Sequence, residues 1–167
     1  MGLLTDISLF FFLALSKGYR RGLQKCWSQR SKQTSQSDRG FVTYSNHAKH
    51  EQLAVDISLL QSDGAVSEPV AAAMAQGALE HSRADIAVSI TGVAGPDDDS
   101  SPSGDVLPKG RVIFALAVRG QEPIVVSCQF RYRDRNQVRE MASTFALDML
   151  RRHLQGLPVK SDLNYVL

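Results

Sequence analysis

The sequence predicts an α/β protein in which helices cover both faces of a mixed central sheet. Three observations predict it. Apolar, β-branched runs alternate along the chain with segments whose apolar residues recur at helical spacing. One run, Ile86-Ala87-Val88-Ser89-Ile90, is almost continuously apolar, the mark of a strand covered on both faces. Finally, 167 residues with 43% hydrophobic and 22% charged content make one ordinary globular domain, large enough to close a core without metal or disulfide.

The chain opens with an apolar run from Ile7 to Leu15, too short to cross a bilayer. Asp6 precedes it where a signal peptide would carry a basic group, and no clear small-residue cleavage site follows, so it reads as a buried first strand. Lys17, Arg20, Arg21, Lys25, Arg30 and Lys32 then form a basic stretch with no acid among them. The net charge of +2 comes from this stretch, and the rest of the chain is acidic. Such a run suits nucleic acid or acidic lipid, but more often it is a solvated face; neither a nucleic-acid nor a membrane partner is expected. Cys26 and Cys128 stand in no metal-ligand or disulfide pattern, which fits a reducing, cytoplasmic compartment.

Gly40-Phe41-Val42-Thr43-Tyr44 has the β-branched and aromatic bias of a strand, Ser45 and Asn46 are helix-capping types, and a helix follows over His47 to Val55. Two uses fit this corner. Its polar residues cap the helix, or its hydroxyls, amide and unsatisfied N–H groups hold an anion or a developing oxyanion. Lys49 lies early in the helix, against the dipole, so its placement needs a reason. Asp56 to Gln61 reads as a short helix and Ser62-Asp63-Gly64 as a turn. Ser67 caps a further helix with Pro69 in its first turn. Val70, Met74, Gly77, Ala78 and His81 recur along it at helical spacing, a core stripe to which no catalysis is assigned.

After the Ile86–Ile90 strand, Thr91-Gly92-Val93-Ala94-Gly95-Pro96 reads as a glycine-containing loop at a strand's carboxyl end, where α/β sheets receive ligands. Asp97, Asp98 and Asp99 lack the spaced ligands of a calcium loop and read as a solvated acidic loop; no metal is expected. Ser100 to Pro108, rich in Ser, Pro, Gly and Asp, reads as a mobile loop of the kind that covers a site. Arg111 to Val118 and Pro123 to Phe130 are strands joined by a turn at Gly120. Asp134 starts the last helix, whose apolar face is Val138, Met141, Phe145, Met149 and Leu154. Arg135 and Arg139 lie one turn apart on it, placed either to hold a phosphate or to face solvent. Residues 156–167 read as a frayed tail or an oligomer contact.

Four segments, taken together, carry a resemblance: Arg39-Gly-Phe-Val-Thr-Tyr-Ser-Asn-His-Ala-Lys49; Gly64-Ala-Val-Ser-Glu68; Ala84 to Pro96; and Asp134-Arg135 with Val138-Arg139. They resemble, in order and over roughly residues 38 to 155, the CinA C-terminal domain family, the nicotinamide mononucleotide deamidases also called PncC. The resemblance implies a three-layer α/β/α domain core over 39–155, a divergent or disrupted segment over 1–38 and a tail over 156–167. It implies hydrolysis of the carboxamide of nicotinamide mononucleotide to nicotinic acid mononucleotide and ammonia, without cofactor, by a homo-oligomer. It places Lys49 and Tyr44 in the catalytic region, with Thr43, Ser45 and Asn46 orienting substrate and Thr91, Gly92 and Gly95 around the ribose phosphate. Arg135 and Arg139 join them as phosphate contacts by charge and placement. A lysine base requires its free amine near neutral pH, which desolvation or a nearby positive charge supplies. The family's strand ends in Ala-Glu-Ser-Cys-Thr-Gly-Gly; here Leu15-Ser16-Lys17-Gly18-Tyr19 stands nearby, and Ser16 falls close to the serine's position. Because the neighbouring acidic, cysteine and paired-glycine positions differ, a catalytically silent nucleotide-binding or interaction module is the second reading. A nucleic-acid or membrane adaptor built on Lys17 to Lys32 is the third.

Overall fold

A computed structural model describes residues 6–7, 39–131 and 133–159, and elements are numbered over these. In chain order they are β1 (Asp6–Ile7), α1 (Asn46–Leu53), α2 (Ile57–Ser62), α3 (Glu68–Glu80), β2 (Ile86–Val93), β3 (Asp99–Ser100), β4 (Val106–Leu107), β5 (Arg111–Val118), β6 (Ile124–Gln129) and α4 (Arg135–Leu154). The main sheet has the order β1-β2-β5-β6. Helices cover both of its faces, which makes the three layers of an α/β/α domain. Every pairing among the described residues is antiparallel, so the parallel pairs of a mixed sheet are not found among them. The remainder of the Ile7–Leu15 run lies outside the described residues, as do the basic stretch and Cys26.

Period-two alternation divides the two central strands between two cores. Ala87 and Val93 of β2, with Ile113, Ala115 and Ala117 of β5, join α1, α2 and α3. Ile86, Val88 and Ile90, with Val112, Phe114 and Leu116, join α4 instead. Small side chains on the first face let α3 lie close to the sheet through Ala71, Ala75 and Ala78, all fully buried. The second face carries the bulk, including Phe114 with its ring centroid 4.6 Å from that of Phe145. Burying each large side chain of this kind contributes roughly 1.5 to 3 kcal/mol.

Capping residues set the helix boundaries: Ser45 and Ser67 cap as the sequence predicts, whereas Asp56 and Asp134, read there as first helical residues, are caps as well. Ser45, Asp56, Ser67 and Asp134 are the N-caps of α1 to α4, and Asp134 forms a capping box with Gln137. The Ser58 backbone N–H holds the Asp56 carboxyl below its ordinary range. Arg119 closes the other end of α3, its guanidinium donating to the carbonyls of Leu79 at 2.9 Å and Ala84 at 2.7 Å. His81 is the C-cap of α3, with Nδ1 2.8 Å from the Gly77 carbonyl oxygen.

Four expectations change. Residues 40–44 enter no sheet ladder among the described residues, although their in-and-out burial survives: Phe41 and Thr43 point inward, Val42 and Tyr44 outward. Thr91, Gly92 and Val93 are the end of β2 and not a loop: Thr91 and Gly92 continue the register opposite β5, with Gly92 across from Val112, and Val93 lies opposite Asp6 of β1. Residues 99–107 form the β3–β4 hairpin, closed by the Ser101 N–H on the Asp105 carbonyl at 2.9 Å. The tail begins folded: Leu157 donates to the Arg152 carbonyl, Arg152 Nη1 donates to the Pro158 carbonyl at 3.1 Å, and Val159 packs into the α4 core. Residues 160–167 lie outside the described residues. No helix among the described residues is long and apolar enough to cross a membrane.

Candidate functional site

The corner before α1 collects the polar residues singled out by sequence. Ser45 occupies itself with capping: its Oγ accepts from the Ala48 N–H at 3.1 Å, and its carbonyl from the Lys49 N–H at 3.0 Å. That leaves the first two helical N–H groups, of Asn46 and His47, without a partner among the described residues. Tyr44 is 40% exposed beside them. Thr43 is fully buried, and its Oγ1 has no hydrogen-bond partner among the described residues. Lys49, one turn into α1, is also fully buried and is among the largest such side chains of the protein. A buried ammonium is costly to desolvate unless it is paired and hydrogen-bonded, which makes Lys49 a candidate site residue.

A cavity of about 250 Å³ lies beside the corner, lined among others by Asn46, Gly64, Ala65, Asp99, Ser101 and Leu107. The β3–β4 hairpin therefore forms one wall, and the turn into α3 another. Thr91 Oγ1 donates to the Ala65 carbonyl at 2.7 Å, tying the end of β2 to that second wall. Asp98 accepts from the Lys109 N–H at 2.8 Å, and Asp99 accepts from the Ser100 N–H at 2.8 Å, so two of the three acidic residues shape the hairpin.

A second group gathers where β2 ends. Gly95 has φ of +92°, and its carbonyl accepts from Arg135 Nη1 at 2.9 Å. Arg135 thus connects the start of α4 to the glycine turn, and Arg139 lies half-buried one turn later. Gly92 has a packing reason for being glycine: a Cβ there would lie 2.6 Å from the Arg111 carbonyl oxygen. Ser16 lies outside the described residues.

Burial raises the Cys128 thiol to about 11, so it is a protonated thiol at neutral pH and not an alternative nucleophile. Sequence reasoning gave no role to the wall at Ala65, whereas Ser101 belongs to the segment expected to cover a site, read there as a loop and not as a hairpin. The Gly64–Glu68 match carried a signal for the first, whereas the hairpin was hidden by its loop-like composition. A larger cavity, about 580 Å³, runs along α4 from Phe130 past Met141 and Phe145, and none of the predicted site residues lines it.

The unpartnered hydroxyl yields a direct check. Thr43→Val keeps the shape and removes the buried oxygen, so the free protein is expected to gain up to about 1 kcal/mol in thermal or urea unfolding. A loss of stability would mean that the hydroxyl has a protein partner in solution.

The family model described as the CinA C-terminal domain matches residues 27–154. The chain is 48% identical over 113 residues to the nicotinamide-nucleotide amidohydrolase PncC of Escherichia coli K12, covering 68% of this chain and 66% of that protein. It is 47% identical over 119 residues to a CinA-like protein of Geotalea daltonii, covering 71% of this chain and 27% of that relative. The chain thus spans about a quarter of the length of the longer curated relatives it matches. Among solved structures, the competence/damage inducible protein CihA of Agrobacterium tumefaciens aligns with a TM-score of 0.63 at 39% identity, over 71% of this chain and 68% of that one. A CinA superfamily protein of Escherichia coli aligns with a TM-score of 0.61 at 38% identity, over 68% of this chain and 62% of that one. With most of its length matched by the family model, and with the fold and the corner residues in place, this chain belongs to the CinA C-terminal domain family.

Proposed function

We propose that this chain is a cytoplasmic amidohydrolase that converts nicotinamide mononucleotide and water to nicotinic acid mononucleotide and ammonia, in pyridine nucleotide salvage. The observation that carries the proposal is the complete burial of Lys49 on α1, one turn from helical N–H groups and six residues from a Thr43 hydroxyl that have no partner among the described residues. The name of the Escherichia coli relative, nicotinamide-nucleotide amidohydrolase, supports the substrate.

In this reading Lys49 acts as the general base through its amine. It takes the proton of Ser16, whose Oγ attacks the carboxamide carbon. The Tyr44 hydroxyl and the N–H groups of Asn46 and His47 stabilise the oxyanion that develops. The proton held by Lys49 passes to the departing nitrogen, the C–N bond breaks, and ammonia leaves. Water, deprotonated by the same amine, then cleaves the ester to the carboxylate and restores the serine. Thr43 and Asn46 orient the nicotinamide end; Thr91, Gly92 and Gly95 border the ribose phosphate, with Arg135 and Arg139 on its charge.

Ammonia release from nicotinamide mononucleotide tests the reading, with Ser16→Ala alongside. Wild-type turnover, reduced by about 10³-fold or more in the variant, is the expected result. The altered sequence around Ser16 favours a second reading, a silent nucleotide-binding module. Binding of the mononucleotide by calorimetry without ammonia release would establish that reading and remove the first.

A further inference from the structure

We propose, resting on the reading of this site as one for nicotinamide mononucleotide, that Asp99 makes the cavity selective for a positively charged pyridinium ring over a neutral ring of the same shape. The residue comes from the β3–β4 hairpin, and the register of that hairpin decides where its side chain points. Asp99 stands directly opposite Leu107, and residues so paired project to the same face of a ladder. Leu107 is 8% exposed and lines the cavity of about 250 Å³, whereas Val106, on the other face, is 68% exposed. Asp99 therefore faces inward with Leu107; it is half-buried and lines the same cavity.

The hairpin is set firmly against the opposite wall. At Gly64, whose φ is +80°, a Cβ would lie 2.7 Å from Pro102 Cδ, so the tip of the hairpin and the turn into α3 meet without room for a further side chain. One oxygen of Asp99 accepts from the Ser100 N–H at 2.8 Å. The other has neither a hydrogen bond nor an ion pair among the described residues. None of the described residues that line the cavity is basic. A half-buried carboxylate facing such a cavity is stabilised by any cation that a ligand brings to it.

The mononucleotide brings one. Asn46, which orients the nicotinamide end, lines this cavity with Asp99. The ring nitrogen at that end is bonded to the ribose, so the ring carries a positive charge at every pH. Reduction to the 1,4-dihydropyridine removes that charge and leaves the carboxamide, the ribose and the phosphate in place. Attraction across a few ångströms in a site partly closed to water therefore favours the oxidised ring, while shape alone treats the two alike.

Calorimetric titration of the full chain carrying Ser16→Ala, in which the ligand is not consumed, tests this with the oxidised and the reduced mononucleotide. The oxidised form is expected to bind about tenfold more tightly or better, and Asp99→Asn to bring the two constants within about twofold of each other. Asparagine keeps the oxygen that accepts from Ser100, so the hairpin is retained while the charge is lost. Asp98→Asn makes the same charge change at the adjacent exposed residue and is expected to leave the ratio unaltered, which separates a carboxylate in the cavity from the general field of an acidic loop. An unchanged ratio in Asp99→Asn would overturn the proposal and leave the mononucleotide site standing. Equal weakening of both forms would overturn it too, and assign the carboxylate to the ribose hydroxyls. Binding of neither form, by Ser16→Ala or by the wild type, would remove the amidohydrolase reading itself together with this inference.

Discussion

Lys49→Arg is expected to reduce ammonia release from nicotinamide mononucleotide by about 10³-fold or more while the protein remains folded. The guanidinium keeps the charge and much of the length of the lysine, but does not lose its proton in any accessible pH range. It therefore separates a base from a mere positive contact, which arginine would preserve. Lys49→Met is the companion variant: it fills similar volume without an amine. The pH dependence has a definite sign. A lysine base works as its neutral amine, so under this reading kcat/KM of the wild type climbs with pH on its acid limb, and both variants lack that limb. Wild-type turnover in Lys49→Arg would eliminate the lysine base and leave the fully buried side chain without its catalytic reading.

Caps and core were legible in the sequence because each is local or periodic. Ser45 and Ser67 were legible as caps, and Asp56 and Asp134 as helix starts, because each side-chain oxygen lies within three residues of the N–H group it serves. The buried Ile86–Ile90 strand was legible from its unbroken apolar run. What composition hid depends on partners distant in sequence. Thr91 and Gly92 look like the start of a loop, yet β5 holds them in a ladder some twenty residues away. Ser-Pro-Ser-Gly between residues 101 and 104 looks unstructured, yet β3 and β4 close around it. Arg135 looks like a phosphate ligand by charge, and the structure gives it a second task, holding the Gly95 carbonyl. For the site the same division applies. Lys49 was marked by its motif and by its unfavourable position against the helix dipole, whereas the isolation of the Thr43 hydroxyl emerges only when the surrounding chain is in place.

The position of Lys49 itself rests on a glycine that looks, in sequence, like an ordinary member of an alanine-rich stripe. In an isolated helix Gly77→Ala would stabilise by about 1 kcal/mol, since glycine has the poorer helix propensity. Here α1 crosses α3 at this residue, and a Cβ on Gly77 would lie 2.8 Å from the Leu53 carbonyl carbon and closer still to its oxygen. The obstacle is backbone, which cannot rotate away as a side chain would. Overpacking of this kind outweighs the propensity gain, and a net loss of about 2 kcal/mol is expected, a fall of roughly 4 to 8 °C in Tm for a chain of this size. Gln76→Ala, at the neighbouring exposed position of the same helix, is expected to leave Tm unchanged or slightly raised, which isolates the crossing as the cause. The displacement does not stop at Leu53. Lys49 lies one helical turn before it on the same short helix, so moving α1 off α3 moves the amine as well. Turnover is therefore expected to fall by a larger factor than the folded fraction, measured well below the lowered Tm. A Gly77→Ala protein with wild-type Tm and turnover would show that α1 adjusts without cost, and that the close crossing does not set the site.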